Sequence, residues 1–333
     1  MLKVAKRSTQ DRSDLFAEAA EQMGIRASIV EKDFWVCLVL KVLFNEHHLQ
    51  NYMVFKGGTS LSKVYGLIQR FSEDIDLILD WQLLGFDRVE PLRDLPSKTQ
   101  QDKFNKEANR LAGVFIAETL NPKLNTLLTD LGVSLSAEVD SEDPLVINVR
   151  YPAAFSESYI RPEVKLEIGP LASWIPSKRH SIQPYVADVL PNLFDEPSCA
   201  VLTIVAERTF WEKATILHQE AHRVGPMPQR YSRHYYDLYK LASSPVRKEA
   251  LSALPLLAEV VAFKQRFYPS QWARYDLARP GTFRLLPSSD DDRSSLQLDY
   301  EQMQVMLFGD RPEFSSILKG LEELESEINA LGS

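Results

Sequence analysis

The chain has 333 residues, 44% of them hydrophobic and 25% charged, a balance that builds cores and excludes general disorder. Its formal net charge of −8 argues against a general nucleic-acid binder, and its two cysteines, with no Cys-x-x-Cys spacing, argue against a disulfide framework or a zinc site. Met1–Arg7 has no apolar h-region, and the longest apolar run, Phe34 to Leu40, is too short to span a bilayer, so the expected location is cytoplasmic, with no membrane partner.

Apolar residues at helical spacing predict two N-terminal helices, over 13–23 (Leu15, Ala19, Met23) and 27–44 (Ile29, Val30, Phe34, Leu38, Leu43). Glu31, Lys32 and Asp33 stand near the start of the second and read as a cap with ion pairs. Tyr52–Phe55 then reads as a strand, Gly57-Gly58-Thr59-Ser60 as a glycine turn, and Leu61–Leu67 as the helix that follows. Glycines let backbone approach an anion, and the first N–H groups of a helix are free to bind one. Thr59 and Ser60 would add hydroxyl donors. The Walker A spacing is absent.

Asp74 and Asp76 alternate with Ile75, Leu77 and Leu79, a period of two that predicts a strand with both carboxylates on one face. Two carboxylates one pleat apart suit Mg²⁺, which takes one or two such groups and completes its shell with water and phosphate. Taken singly, the glycine turn is a common structural feature and Asp-x-Asp a common solvated strand end; in this order the pair is far more specific.

Past the Asp strand, 80–97 is mixed and proline-punctuated, and 97–131 reads as helix with a break at Pro122. Strand signals follow at 133–139, 145–151 and 164–168, so the sheet should be mixed or antiparallel there. The stretch 177–195 reads as a connector and 202–222 as a strong helix. His218 and His222 lie one helical turn apart, but the zincin order of residues is missing, and capping or exposed histidines are expected. Residues 206–284 hold 13 Lys/Arg against 7 Asp/Glu, an excess of positive charge, whereas 285–333 holds 3 against 11. The aromatic and basic stretch 269–284 suits either stacked nucleic acid or a packed loop. Asp290-Asp291-Asp292 reads as a solvated turn, and 315–331 as a packing helix.

Together the glycine turn and the Asp strand resemble the DNA polymerase β-type nucleotidyltransferases, and the chain is similar to their AbiEii/AbiGii toxin branch. The resemblance rests on Val30-Glu31-Lys32-Asp33-Phe34-Trp35, Phe55 to Lys63, Phe71-Ser72-Glu73-Asp74-Ile75-Asp76-Leu77, the helical motif around Lys213, and Arg233 to Tyr239, where His234-Tyr235 departs from the usual Lys-Asp. It runs from about Ile25 to Phe267.

The resemblance implies an α/β (α+β) fold: a mixed-sheet nucleotidyltransferase domain with N-terminal helices over 1–195, and a helical C-terminal domain over 196–333 completing the cleft. It implies transfer of a nucleoside monophosphate from an NTP, with Mg²⁺ (or Mn²⁺) on Asp74 and Asp76 and nucleotide on Gly57, Gly58, Thr59, Ser60 and Lys63. Glu167 is the candidate third metal ligand; the residues alone suit an ion pair with Lys165 equally well. Lys213 and Asp237, on the residues alone a helix-to-helix salt bridge, become under the resemblance catalytic groups facing the metal, with Lys213 on the phosphates. Family members act as toxins of type IV toxin–antitoxin or abortive-infection systems, so a cognate antitoxin encoded nearby is expected, with no direct binding implied. The basic segment favours an RNA acceptor, most of all tRNA. A protein or small-molecule acceptor, or a non-catalytic nucleotide-binding protein, are the alternatives.

Overall fold

The computed structural model describes residues 1–72, 74–86, 97–156 and 161–332. Glu73 and much of the proline-punctuated segment 80–97 therefore lie outside the described residues. The chain forms two compact units. One comprises the described residues of Met1–Val64, Phe71–Val89 and Lys103–Ile204; the other comprises those of Tyr65–Arg70, Glu90–Asp102 and Val205–Ser333.

Helices α1 (Leu2–Ala5), α2 (Thr9–Met23) and α3 (Ala27–Asn45) open the chain. Almost every side chain from Ser28 to Leu40 on α3 is buried, as expected of a helix that is apolar all round. This burial revises the capping half of the reading of Glu31-Lys32-Asp33, which sit in the second turn, past the cap; the expected ion pairing holds for Asp33, whose Oδ1 lies 2.7 Å from Lys63 Nζ. Two of the three make further long-range ties: Glu31 accepts from the Ala154 and Phe155 amides at 2.7 and 3.2 Å, and Asp33 from the Tyr185 amide at 2.7 Å. A buried carboxylate needs such donors.

Strand β1 (Met53–Lys56) leads into α4 (Gly57–Lys63) and β2 (Asp74–Leu79) follows. Helices α5 (Lys98–Phe115) and α6 (Asn121–Asp130) are joined by a π turn at Ile116–Leu120. The irregularity lies just upstream of Pro122, whose missing N–H and bulky ring disturb the preceding turn. Next come β3 (Ser136–Val139), β4 (Val146–Arg150), β5 (Glu163–Gly169), β6 (Ser177–Ile182), α7 (Tyr185–Val189) and β7 (Cys199–Ile204).

Two readings change here. Residues 177–182, expected as connector, form edge strand β6, paired antiparallel to β7; its exposed Lys178 and Arg179 blank out the apolar alternation, as charged edge strands do. Leu202 to Ile204, expected as the start of a helix, belong to β7.

The seven strands form one mixed sheet in the order β3-β4-β5-β2-β1-β7-β6. Strand β2 pairs parallel with β5 and antiparallel with β1. One face carries Met53, Phe55, Ile75, Leu77, Leu79, Ile147, Leu166 and Ile168, all buried in a core shared with Phe16, Val30, Phe34 and Leu38 of α2 and α3. The opposite face carries the charged residues.

The second unit is helical: α8 (Ala206–Glu220), α9 (Ser232–Ala242), α10 (Val246–Ser252), α11 (Leu254–Phe267), α12 (Asp290–Met303) and α13 (Phe314–Ala330). Asp290 to Asp292 form the first turn of α12, where Ser289 Oγ accepts the Asp292 amide at 3.1 Å, a capped acidic helix start rather than a turn. Among the described residues no helix is long and apolar enough to cross a membrane.

Candidate active site

Strand register builds the charged centre of the first unit. Asp76 lies directly beside Lys56 of β1 and Glu167 of β5, and Asp74 beside Lys165 of β5. Residues opposite one another in a ladder share a face, so Asp74, Asp76, Glu167, Lys56 and Lys165 make one charged platform. Both aspartates are partly exposed.

Gly57 closes on this platform. Its φ of +79° lies in the left-handed region, and a Cβ there would stand 1.9 Å from Asp76 Oδ2. Only a residue without a side chain permits that approach. The cradle and the paired carboxylates fit a two-carboxylate magnesium site that takes its remaining ligands from water and phosphate. Among the described residues no three His, Cys, Asp or Glu groups converge on one ion position.

Glu167 is adjacent in register but engaged: Lys165 Nζ stands 2.6 Å from its Oε1, both side chains about two-fifths exposed. Glu167, with Asp74, holds the Lys165 ammonium above its ordinary range against the opposing effect of burial. The hydroxyls of Thr59 and Ser60 are buried and donate inward, Thr59 Oγ1 to the Asp74 carbonyl at 2.5 Å and Ser60 Oγ to the Gly57 carbonyl at 2.9 Å. They brace the turn against β2 instead of offering donors. Lys63 also faces inward: its Nζ is 2.7 Å from Asp33 Oδ1, its side chain 4% exposed, and it sits 3.6 Å from the centre of the Tyr185 ring. Burial opposes its charge, but Asp33 outweighs that and holds the ammonium above its ordinary range.

The second unit holds another charged centre. Asp237 of α9 is fully buried, and Lys213 Nζ of α8 stands 2.9 Å from its Oδ2. Arg70 completes the pair, Nε donating to Oδ1 at 2.7 Å and Nη2 to Oδ2 at 2.9 Å. Burial disfavours the Asp237 charge, yet Arg70 and then Lys213 overcome it and hold the carboxyl well below the usual range. Lys213 is lowered, chiefly by burial. His234 Nδ1 lies 3.0 Å from Lys213 Nζ; burial first, then the Lys213 charge, keep its imidazole well below its ordinary pKa, so neutral Nδ1 accepts and Nε2 carries the proton.

Sequence reasoning missed Arg70 and His234 as partners. The available signal was that a buried carboxylate demands more than one donor, and that Arg70 stands near the apolar Ile68 and Phe71 just before β2. His218 is likewise fully buried rather than exposed, accepting the Arg284 amide at Nδ1 (3.1 Å) and bonding the Arg274 carbonyl through Nε2 (3.0 Å). Much of the basic segment is internally paired: Arg208 with Glu212, Arg223 with Glu220, Arg247 with Glu327, Arg274 with Asp276. Exposed Arg230, Arg279 and Arg284 have no ion pair among the described residues.

The profile of the nucleotidyl transferase AbiEii toxin, type IV toxin–antitoxin system, matches residues 39–321. The chain belongs to the AbiEii family. It is accordingly a nucleotidyltransferase of the type IV toxin class. Among solved structures, MenT4, a nucleotidyltransferase toxin from Mycobacterium tuberculosis H37Rv, is similar with a TM-score of 0.42 at 17% identity, covering 95% of this AbiEii-family chain and 98% of its own. JHP933 from Helicobacter pylori is similar with a TM-score of 0.34 at 17% identity, covering 89% and 94%. At these scores neither likeness bears on mechanism. No curated protein matches the sequence.

Proposed function

We propose that this AbiEii-family enzyme transfers a nucleoside monophosphate from an NTP to an RNA hydroxyl, with tRNA the leading acceptor, in a metal-dependent reaction that releases pyrophosphate. The observation that carries the reading is the Asp74/Asp76 pair on one sheet face with Gly57 packed against Asp76. Asp74 and Asp76 would hold Mg²⁺ or Mn²⁺, which when bound neutralises phosphate charge and favours the acceptor alkoxide. Gly57 and Gly58 bring the first backbone N–H groups of α4 toward phosphate. Lys213 donates to phosphate while Asp237 orients its ammonium. Glu167 assists the metal only by leaving Lys165, so we assign it a secondary role. Lys63, Thr59 and Ser60 support the site from within.

The test incubates the protein with each α-labelled NTP, Mg²⁺ and total cellular RNA. Label should enter RNA, EDTA should abolish transfer, and Asp76→Ala should lower it at least about a hundredfold while the fold stays intact. An Asp76→Ala protein of undiminished activity overturns the metal assignment. An RNA acceptor further requires binding that weakens steeply with salt, and Arg279→Glu/Arg284→Glu should reduce it. Label entering protein or a small molecule instead would move the acceptor out of the RNA class.

A further inference from the structure

The Lys213–Asp237 pair is legible as a motif, but its third member is not. Arg70 is 4% exposed, and its backbone is fixed inside the helical unit. The Gln69 amide donates to the Tyr236 hydroxyl at 3.2 Å, the Phe308 amide donates to the Gln69 carbonyl at 2.9 Å, and Arg70 bridges antiparallel to Leu307. From that anchored position the guanidinium meets Asp237 edge-on with two parallel bonds, 2.7 and 2.9 Å. A planar fork of this kind fixes a carboxylate in rotation as well as in place, which a point charge does not.

Lys213 is set in turn. Of its three N–H donors, one goes to Asp237 Oδ2 at 2.9 Å and one to neutral His234 Nδ1 at 3.0 Å. Among the described residues the third has no acceptor, although the side chain is only 10% exposed. An ammonium so buried, with two donors fixed, has a single direction left for the third.

We propose that Arg70 is the positioning residue of the Lys213 ammonium: by clamping Asp237 it fixes the direction in which the free Lys213 N–H meets a phosphate-class anion. The inference rests on the reading of Lys213 as phosphate donor and adds what orients it. The charged and titratable groups around Lys213 are Arg70 from the 65–70 segment and Arg233, His234 and Asp237 from α9.

The test uses the full chain with Arg70→Lys and Arg70→Met, each assayed below its own melting temperature. Competitive acetylation of Lys213 across pH, read by peptide mass spectrometry, reports its titration without any acceptor present. Removing the cation in Arg70→Met should raise the Lys213 midpoint by about one pH unit. Arg70→Lys, which keeps the charge and loses the fork, should leave that midpoint in place, yet lower kcat for label transfer to total cellular RNA about tenfold with KM for NTP little changed. A merely structural Arg70 would lower the melting temperature and leave kcat of the folded Arg70→Lys protein at the wild-type value, whereas the Lys213 midpoint reports only that the Arg70 charge lies close to the ammonium. An unmoved midpoint in folded Arg70→Met, or undiminished kcat in Arg70→Lys, overturns the inference; where Arg70→Met does not fold, the Arg70→Lys result decides. Lys213→Ala separates the two levels. Full activity there defeats the phosphate role of Lys213 itself, whereas an inactive Lys213→Ala beside a fully active Arg70→Lys defeats only the role of Arg70.

Discussion

Gly57 shows how much one missing side chain can determine. Its φ of +79° disfavours any L-residue, and the Asp76 carboxylate occupies the place of a Cβ. Gly57→Ala should therefore cost about 1 kcal/mol or more of stability, and should lower nucleotidyl transfer beyond the loss in folded fraction, because Asp76 must move. Thermal melts and label transfer on the same preparation check this; a variant matching wild type in both would contradict the close approach. His218 supplies a second test. Burial lowers its pKa from 6.5 to about 4, and its Nδ1 faces the Arg284 N–H, so the folded state requires the neutral ring. With the folded pKa below the unfolded one, this contribution is complete above about pH 6.5 and is lost as pH falls from there toward 4. Urea midpoints across that window should fall less steeply in His218→Gln than in wild type.

At the scale of elements, amphipathic stripes were the readable part. Helix α13 buries Ile317, Leu321, Leu324 and Ile328 completely, the face its 3.6-residue spacing predicts. A Cβ at Gly320 would lie 2.7 Å from the Tyr239 ring of α9, so the two helices meet closely at a position where only glycine fits without displacement. Leu321→Ala, next to that contact, should lower unfolding free energy by about 2–5 kcal/mol, measured by denaturant titration; a change under about 1 kcal/mol would contradict the packing described. Strand β6 was not readable in this way, since an edge strand with exposed Lys178 and Arg179 has little apolar period to detect. Residues 202–204 escape the helix–strand distinction for a related reason: the apolar strand β7 runs almost directly into the amphipathic helix α8, whose buried face continues its apolar character, so periodicity alone does not divide them.

At the scale of the whole molecule, membership of a toxin family predicts an effect on a cell. Expressed in a bacterial host without an antitoxin, the wild-type chain should arrest growth and Asp74→Ala at matched levels should not. Equal growth of the two strains would count against toxicity through this site. What the sequence determined by itself was local: the alternation at 74–79 that sets two carboxylates on one face, the glycines at 57–58 between a strand and a helix, though that helix starts at Gly57 and ends at Lys63 instead of running from Leu61 to Leu67, the helical stripes, and motifs specific enough to indicate the family. These depend on backbone periods of two and 3.6 residues and on the sterics of single residues, which a linear string contains. The tertiary structure alone decided which groups meet. Arg70 and Asp237 are 167 residues apart in the chain, Lys63 is turned inward to Asp33, Glu167 lies beside Asp76, and the Thr59 hydroxyl points inward to the Asp74 carbonyl. Such pairings follow from strand register and helix packing, which no local spacing encodes, and from the demand of each buried charge for partners wherever the fold can supply them.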